Sequence, residues 1–175
     1  QLHSLSLGKV SGQNYLQQLD YTYKANGFLT DINQVDLDDD LFHLSLLYDE
    51  IYDFPSVGSS GLSLPPFKNG NITAQVWRTK DRLQGGDANV SVYEYEYDEL
   101  SRLKKACYSE VDESGTAGAA QVELNKYLSE YTYDLRGNIQ SLKRDGVYID
   151  ESGSVNQGEI DDLAYVYTCN SQRLQ

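Results

Sequence analysis

Along this chain the clearest hydrophobic pattern is a period of two carried by tyrosine: Tyr21-Thr-Tyr23, Tyr93-Glu-Tyr95-Glu-Tyr97, Tyr131-Thr-Tyr133 and Tyr165-Val-Tyr167. Residues two apart on a strand share a face, so these stretches predict half-buried β-strands with aromatic ladders on one side and Thr22, Glu94, Glu96 or Thr132 on the other. Turn chemistry follows each pair. Asp98 and Asp134 can accept hydrogen bonds from backbone amides two residues on, and Gly27 and Gly137 can adopt positive φ. An aliphatic residue then opens a return strand: Leu29, Ile72, Leu103, Ile139 or Leu174. Each such unit reads as a β-hairpin with the aliphatic residue packed across from the tyrosine row.

The units recur. From the second tyrosine of one pair to the next, 23 to 97, 97 to 133 and 133 to 167, the intervals are 74, 36 and 34 residues. The first is about two periods, and Phe67-Lys-Asn-Gly70-Asn71-Ile72 fits its middle, with Phe in place of the leading Tyr. The sequence therefore predicts one domain over 1–175, with about five hairpin units near 21–32, 67–77, 93–108, 131–144 and 165–174. Clusters of Gly, Ser and Pro, such as Gly58-Ser-Ser-Gly61, Leu64-Pro65-Pro66 and Glu151-Ser-Gly-Ser154, read as the loops between hairpins. The stretch Ala119 to Tyr127 fits a short helix and a strand entry equally well. A lone hairpin is marginal in water, so the units must pair edge to edge in one sheet; the fold class is all-β.

Composition narrows the function. Tyr outnumbers Phe by 15 to 4, which suits a face where rings pack and hydroxyls still find polar partners. A formal charge of −13 gives a field of the wrong sign for a phosphate backbone, so nucleic acid is not an expected partner. No apolar run is long enough to span a bilayer, and no membrane insertion is expected. Cys107 and Cys169 lack metal-ligand spacing and read as core thiols or as a disulfide. The acidic run Asp36-Leu-Asp38-Asp39-Asp40 lacks the spaced ligands and glycine of a calcium loop and reads as a solvated loop. Only His3 and His43 offer imidazole bases, neither in a catalytic motif, so no enzyme activity, catalytic residue, metal or cofactor is expected. Trp77 reads as a strand aromatic. The chain begins at Gln1 and holds no Met, so it is expected to be a stretch of a longer polypeptide.

The motif Tyr-Asp-x-x-Gly-Arg/Asn-Leu/Ile resembles the YD repeat of Rhs proteins, the wall-associated and insecticidal toxin-complex proteins, and teneurins. Tyr133-Asp134-Leu-Arg-Gly137-Asn138-Ile139 matches it fully; Tyr97-Asp98-Glu-Leu-Ser101-Arg102-Leu103 has Ser in the Gly position. The units at Tyr23 and Tyr167 are degenerate. The stretches around Tyr21 to Leu29, Asp40 to Asp49 and Asn69 to Trp77 are similar to Rhs proteins of the Bacteroidetes. The resemblance covers Tyr21 to Leu174 and implies antiparallel hairpins forming a curved, spiralling sheet, a strip of the hollow shell that in polymorphic toxins encloses a cargo. Its repeat-motif residues here are Tyr21, Tyr23, Gly27, Leu29, Gly70, Asn71, Ile72, Tyr95, Tyr97, Asp98, Arg102, Leu103, Tyr131, Tyr133, Asp134, Gly137, Asn138, Ile139, Tyr165 and Tyr167. No Asp-Pro dipeptide occurs, so the self-cleaving segment of Rhs toxins is not expected in this stretch.

The functional expectation is a structural wall segment of a secreted or cell-surface bacterial protein. Its expected partner is the remainder of the parent polypeptide or another protein chain, because an excised strip of sheet leaves unpaired edges. The alternative is an adhesion or carbohydrate-binding module that stacks sugar rings, and so a glycan, on the tyrosine face.

Overall fold

The computed structural model describes residues 1–9, 15–33, 41–48, 69–81, 86–87, 90–112, 121–124 and 127–167. These residues form strands and turns, with no helix among them. The strands are β1 (Ser4–Lys9), β2 (Tyr15–Tyr23), β3 (Leu29–Ile32), β4 (Phe42–Leu47), β5 (Ala74–Asp81), β6 (Gly86–Asp87), β7 (Val90–Tyr97), β8 (Leu103–Asp112), β9 (Gln121–Leu124), β10 (Ser129–Tyr133), β11 (Ile139–Ile149) and β12 (Val155–Ala164).

All pair antiparallel in a single sheet of order β1-β2-β3-β4-β5-β7-β8-β10-β11-β12, with β6 beside β5 and β9 beside β8. Neighbours in sequence are neighbours in space, as short hairpin connections demand. β1 pairs only with β2 and β12 only with β11 among the described residues, so the sheet is open rather than closed into a barrel. Part of the stretch that fitted helix or strand equally is a strand: β9 pairs Gln121 with Asp112 and Leu124 with Ser109, further along the edge of β8 that takes β10 at Ala106.

Register decides the faces. Directly opposed residues share a face, and Tyr21 opposes Ile32, Ile32 opposes Leu44, Leu44 opposes Trp77, and Trp77 opposes Ser91 of the Tyr93 row. Beyond it, Tyr95 opposes Ala106, Ala106 opposes Ser129 of the Tyr131 row, Tyr131 opposes Leu142, and Leu142 opposes Leu163 of the Tyr165 row. The tyrosine ladders therefore lie on one face, together with Leu29, Leu103 and Ile139, the aliphatic residues that open β3, β8 and β11.

The ladder tyrosines are half-buried. A buried cluster of Val92, Ala74, Cys107, Val76 and Ser109 lies at the sheet centre on the opposite face, where Val92 stands between Val76 and Ser109 and Glu94 between Ala74 and Cys107. Ala106 is buried on the tyrosine face, a small residue beside Tyr95.

Candidate functional site

The candidate site is the row of hairpin turns at one end of the sheet, with the tyrosines that enter them. In the turn between β7 and β8, the Asp98 amide donates to the Arg102 carbonyl (2.9 Å) and the Ser101 amide to the Asp98 carbonyl (2.9 Å). The Asp98 carboxylate fills the loop: Oδ1 accepts the amides of Leu100 (3.0 Å) and Arg102 (2.9 Å), and Oδ2 accepts Nε of Arg102 (2.6 Å). Between β10 and β11, the Gly137 amide donates to the Asp134 carbonyl, Oδ1 of Asp134 takes the amides of Arg136 and Asn138 (both 2.8 Å), and Oδ2 takes Nδ2 of Asn138 (2.8 Å).

The fourth turn residue needs positive φ in each case, 62° at Ser101 and 88° at Gly137. Where Asp is missing the backbone path survives: Lys24 and Phe28 close the turn between β2 and β3 with Gly27 at φ 91°, and Oδ1 of Asn26 accepts the Phe28 amide instead.

A further turn of this design went unread in the sequence, where Glu151-Ser-Gly-Ser154 counted only as a loop. Between β11 and β12, Asp150 accepts the amides of Ser152 (2.9 Å) and Ser154 (3.0 Å), and Gly153 takes φ 83°. Ile149 stands where the others have tyrosine, so the aromatic signal is absent here. The Asp-x-x-Gly spacing shared with Asp134 and Gly137 was the available signal. This turn lies at the far end of the hairpin, away from the tyrosine turns.

These hydrogen bonds shift the carboxyls. The Asn138 side chain, with the amides behind it, holds Asp134 below its usual range despite some desolvation. Asp150 is lowered by the Ser152 hydroxyl and the Ser154 amide. At Asp98 desolvation pushes upward, and the side-chain and backbone bonds from Arg102 outweigh it, so it too is lowered.

A second contact repeats with the turns. The hydroxyl of the tyrosine entering a turn donates to the carbonyl at the head of the preceding return strand: Tyr97 to Ile72 (2.8 Å), Tyr133 to Leu103 (2.6 Å) and Tyr167 to Ile139 (2.9 Å). Tyr23 makes the same tie to Leu2 (2.8 Å) and Tyr48 to Leu29 (2.8 Å). This corrects the middle unit. Its tyrosine is Tyr48 at the end of β4, and Gly70-Asn71-Ile72 is the return half, joined across a long insertion; Phe67, expected to lead the unit, lies outside the described residues. Nδ2 of Asn71, the counterpart of the Asn138 amide that binds Asp134, is buried and has no hydrogen-bond partner among the described residues.

Adjacent turns are also linked. Arg102 lies over the Tyr133 ring, 4.6 Å from its centroid, and donates from Nη1 to the Asp134 carbonyl (3.2 Å). Nδ2 of Asn69 donates to Oγ of Ser101 (2.8 Å). Phe28 stacks on Tyr48 at 5.1 Å, and a Cβ at Gly70 would come within 3.0 Å of the Phe28 ring.

On the same face Trp77 stacks on Tyr93 and Tyr93 on Tyr95, at 6.0 and 5.9 Å, while Tyr108 contacts Tyr93 (5.3 Å) and Tyr127 (5.5 Å). Burial, with the neighbouring Tyr97 and Tyr93, pushes the Tyr95 phenol up to about 12.

Oγ of Ser45 donates to Oδ1 of Asp31 (2.6 Å) and lies 3.2 Å from Nε2 of the buried His43. Here the carboxylate accepts the serine's hydrogen bond, so serine stands between acid and imidazole; a nucleophilic triad has histidine in the middle. His3 packs edge-on against Tyr23. Cys107 is a free, buried thiol; Cys169, Leu174 and the acidic run 36–40 lie outside the described residues. Among the described residues no cluster of His, Cys, Asp or Glu could hold a metal ion, and no helix is long and apolar enough to cross a membrane.

Fold and site together define an all-β protein built of repeated, mutually tied hairpins in one open antiparallel sheet. No protein-family model and no curated protein matches the chain.

Proposed function

We propose that this chain is a structural wall segment of a secreted or cell-surface YD-repeat (Rhs-type) protein, one that encloses a cargo or toxin domain. The observation that carries the reading is the fivefold recurrence of a tyrosine hydroxyl bound to the carbonyl of the preceding return strand. Such a contact specifies how one hairpin sits beside the next, which is what a wall requires and a ligand site does not. It spends the hydroxyls of Tyr97 and Tyr133 on backbone, where a glycan platform would offer them to sugar hydroxyls. Cross-links from Arg102 to Tyr133 and Asp134 and from Asn69 to Ser101 join neighbouring turns, as a wall edge would need, and on this reading the remaining chemistry is burial and strand pairing.

Native mass spectrometry and intact-mass analysis of material from the source organism test this. The wall reading expects the sequence within, or bound to, a much larger assembly that carries an enclosed protein. A free-standing monomer of 175 residues that binds glycans through Tyr95, Tyr97, Tyr131 and Tyr133 would overturn it.

A further inference from the structure

The aromatic rings in the middle of the tyrosine face do not all meet in the same way. Tyr93 lies nearly parallel to Tyr95 (7°) and to Trp77 (14°), as stacked rings do. Tyr108 instead meets Tyr93 at 5.3 Å and 56°, and Tyr127 at 5.5 Å and 65°. Two phenols joined by a bond between ortho carbons sit edge to edge with their planes twisted. The tyrosine pairs made by Tyr108 approach that arrangement, whereas the parallel Tyr93 and Tyr95 rings would have to turn against their neighbours to reach it.

Access separates the two pairs. Tyr127 is 40% exposed, while Tyr93 and Tyr108 are half-buried. The Tyr108 hydroxyl lies 3.0 Å from Oγ of Ser91, a hydrogen bond that holds its ring in place. An oxidant in solution therefore reaches Tyr127 first and finds beside it a second phenol already positioned. Tyr148 is as exposed, at 43%, but has no ring neighbour among the described residues.

We propose that Tyr108 and Tyr127 form a site of oxidative cross-linking, at which peroxide acting through a haem peroxidase joins them as dityrosine. Each phenol gives up one electron and its hydroxyl proton, and the two phenoxyl radicals pair in a bond between their ortho carbons. The hydrogen on each of those carbons then moves to the oxygen of its own ring, which restores both aromatic rings and both hydroxyls. The chain loses two hydrogen atoms in all, and one hydrogen peroxide is reduced to two waters. Tyr108 lies in β8 and Tyr127 just before β10, which pairs with β8, so the bond straps two neighbouring strands across the stretch that joins them. The site stands on ring geometry and exposure, and goes beyond the wall reading without depending on it.

The test treats a dilute solution of the full chain with a haem peroxidase and hydrogen peroxide. The expected product is a monomer that has lost the mass of two hydrogens and gained dityrosine fluorescence, with peptide mapping placing the bond between Tyr108 and Tyr127. Tyr127→Phe keeps the ring and removes the phenol, so the bond within the chain should be lost. Tyr148→Phe should leave its yield unchanged. Absence of dityrosine, coupling only between chains, a bond mapped to a different pair, or a yield that Tyr127→Phe leaves intact would overturn the proposal. Far-UV circular dichroism shows that each variant has formed its sheet, and the mapping on the unsubstituted chain decides the matter even if one has not.

Discussion

The hydroxyl of Tyr133 donates to the Leu103 carbonyl at 2.6 Å, while Arg102 beside it covers the Tyr133 ring and reaches the Asp134 carbonyl. One tyrosine thus joins the turn between β7 and β8 to the turn between β10 and β11. Tyr133→Phe removes only the hydroxyl and should cost about 1 kcal/mol, the ordinary net worth of such a bond. Tyr131→Phe, on the same strand and face and with no such tie among the described residues, should be near neutral. Urea midpoints for the two variants decide this; equal shifts would show that the hydroxyl contact does no selective work.

Gly137 sits at φ 88° with nothing within 4 Å of where a Cβ would be. Any penalty there is one of backbone conformation alone. Gly137→Val should therefore destabilise by about 1–3 kcal/mol, and Gly137→Asn by much less, because asparagine tolerates the left-handed region. Thermal melts that rank the two variants equally would contradict the turn geometry.

The lowered Asp98, Asp134 and Asp150 predict acid sensitivity. Each favours the folded state when ionised, so its contribution is complete above the ordinary carboxyl value of 3.8 and is lost as pH falls through the lowered folded value. Melting temperature against pH should drop on the acid side of that value. Asp134→Asn should make the drop shallower, since one of the titrating groups is gone; an unchanged acid limb would refute its share.

At the alkaline end the sign reverses. Burial raises Tyr95 from 10.0 to about 12 and Cys107 from 9.0 to about 11, so both are neutral in the fold at pH values where the unfolded chain would ionise. The stability that neutrality provides is present below the unfolded values and lost as pH rises through the folded ones. Phenolate absorbance should show part of the tyrosine titration delayed into the unfolding transition, and a thiol reagent at neutral pH should reach Cys107 only on unfolding. Labelling of native Cys107 at the rate of a free thiol would contradict its burial.

Much of this architecture was legible in the sequence because one chemistry repeats. The Tyr-x-Tyr alternation locates the ends of β2, β7 and β10, and the Asp or Gly that follows locates their turns, since both signals are local. Tyr48 stood outside the pattern because its aliphatic partner is not six positions on, as Leu29, Leu103 and Ile139 are from their tyrosines, but lies much further along the sequence at Ile72. The Asp150 turn was missed because Ile149 carries no hydroxyl and faces the other end of the sheet. The buried centre around Val92, Ala74 and Cys107 was illegible for a different reason. It lies on the face that also carries Glu94 and Glu96, and only pairing across three strands brings Val76, Val92 and Ser109 into line.

Among the described residues every such tyrosine tie points backward along the chain: Tyr23 to Leu2, Tyr48 to Leu29, Tyr97 to Ile72, Tyr133 to Leu103, Tyr167 to Ile139. A polypeptide leaves the ribosome amino end first, so each newly emerged hairpin meets an acceptor that has already been made. None has to wait for residues not yet translated. The sheet can be latched one hairpin at a time during synthesis, with its growing end the only unfinished part.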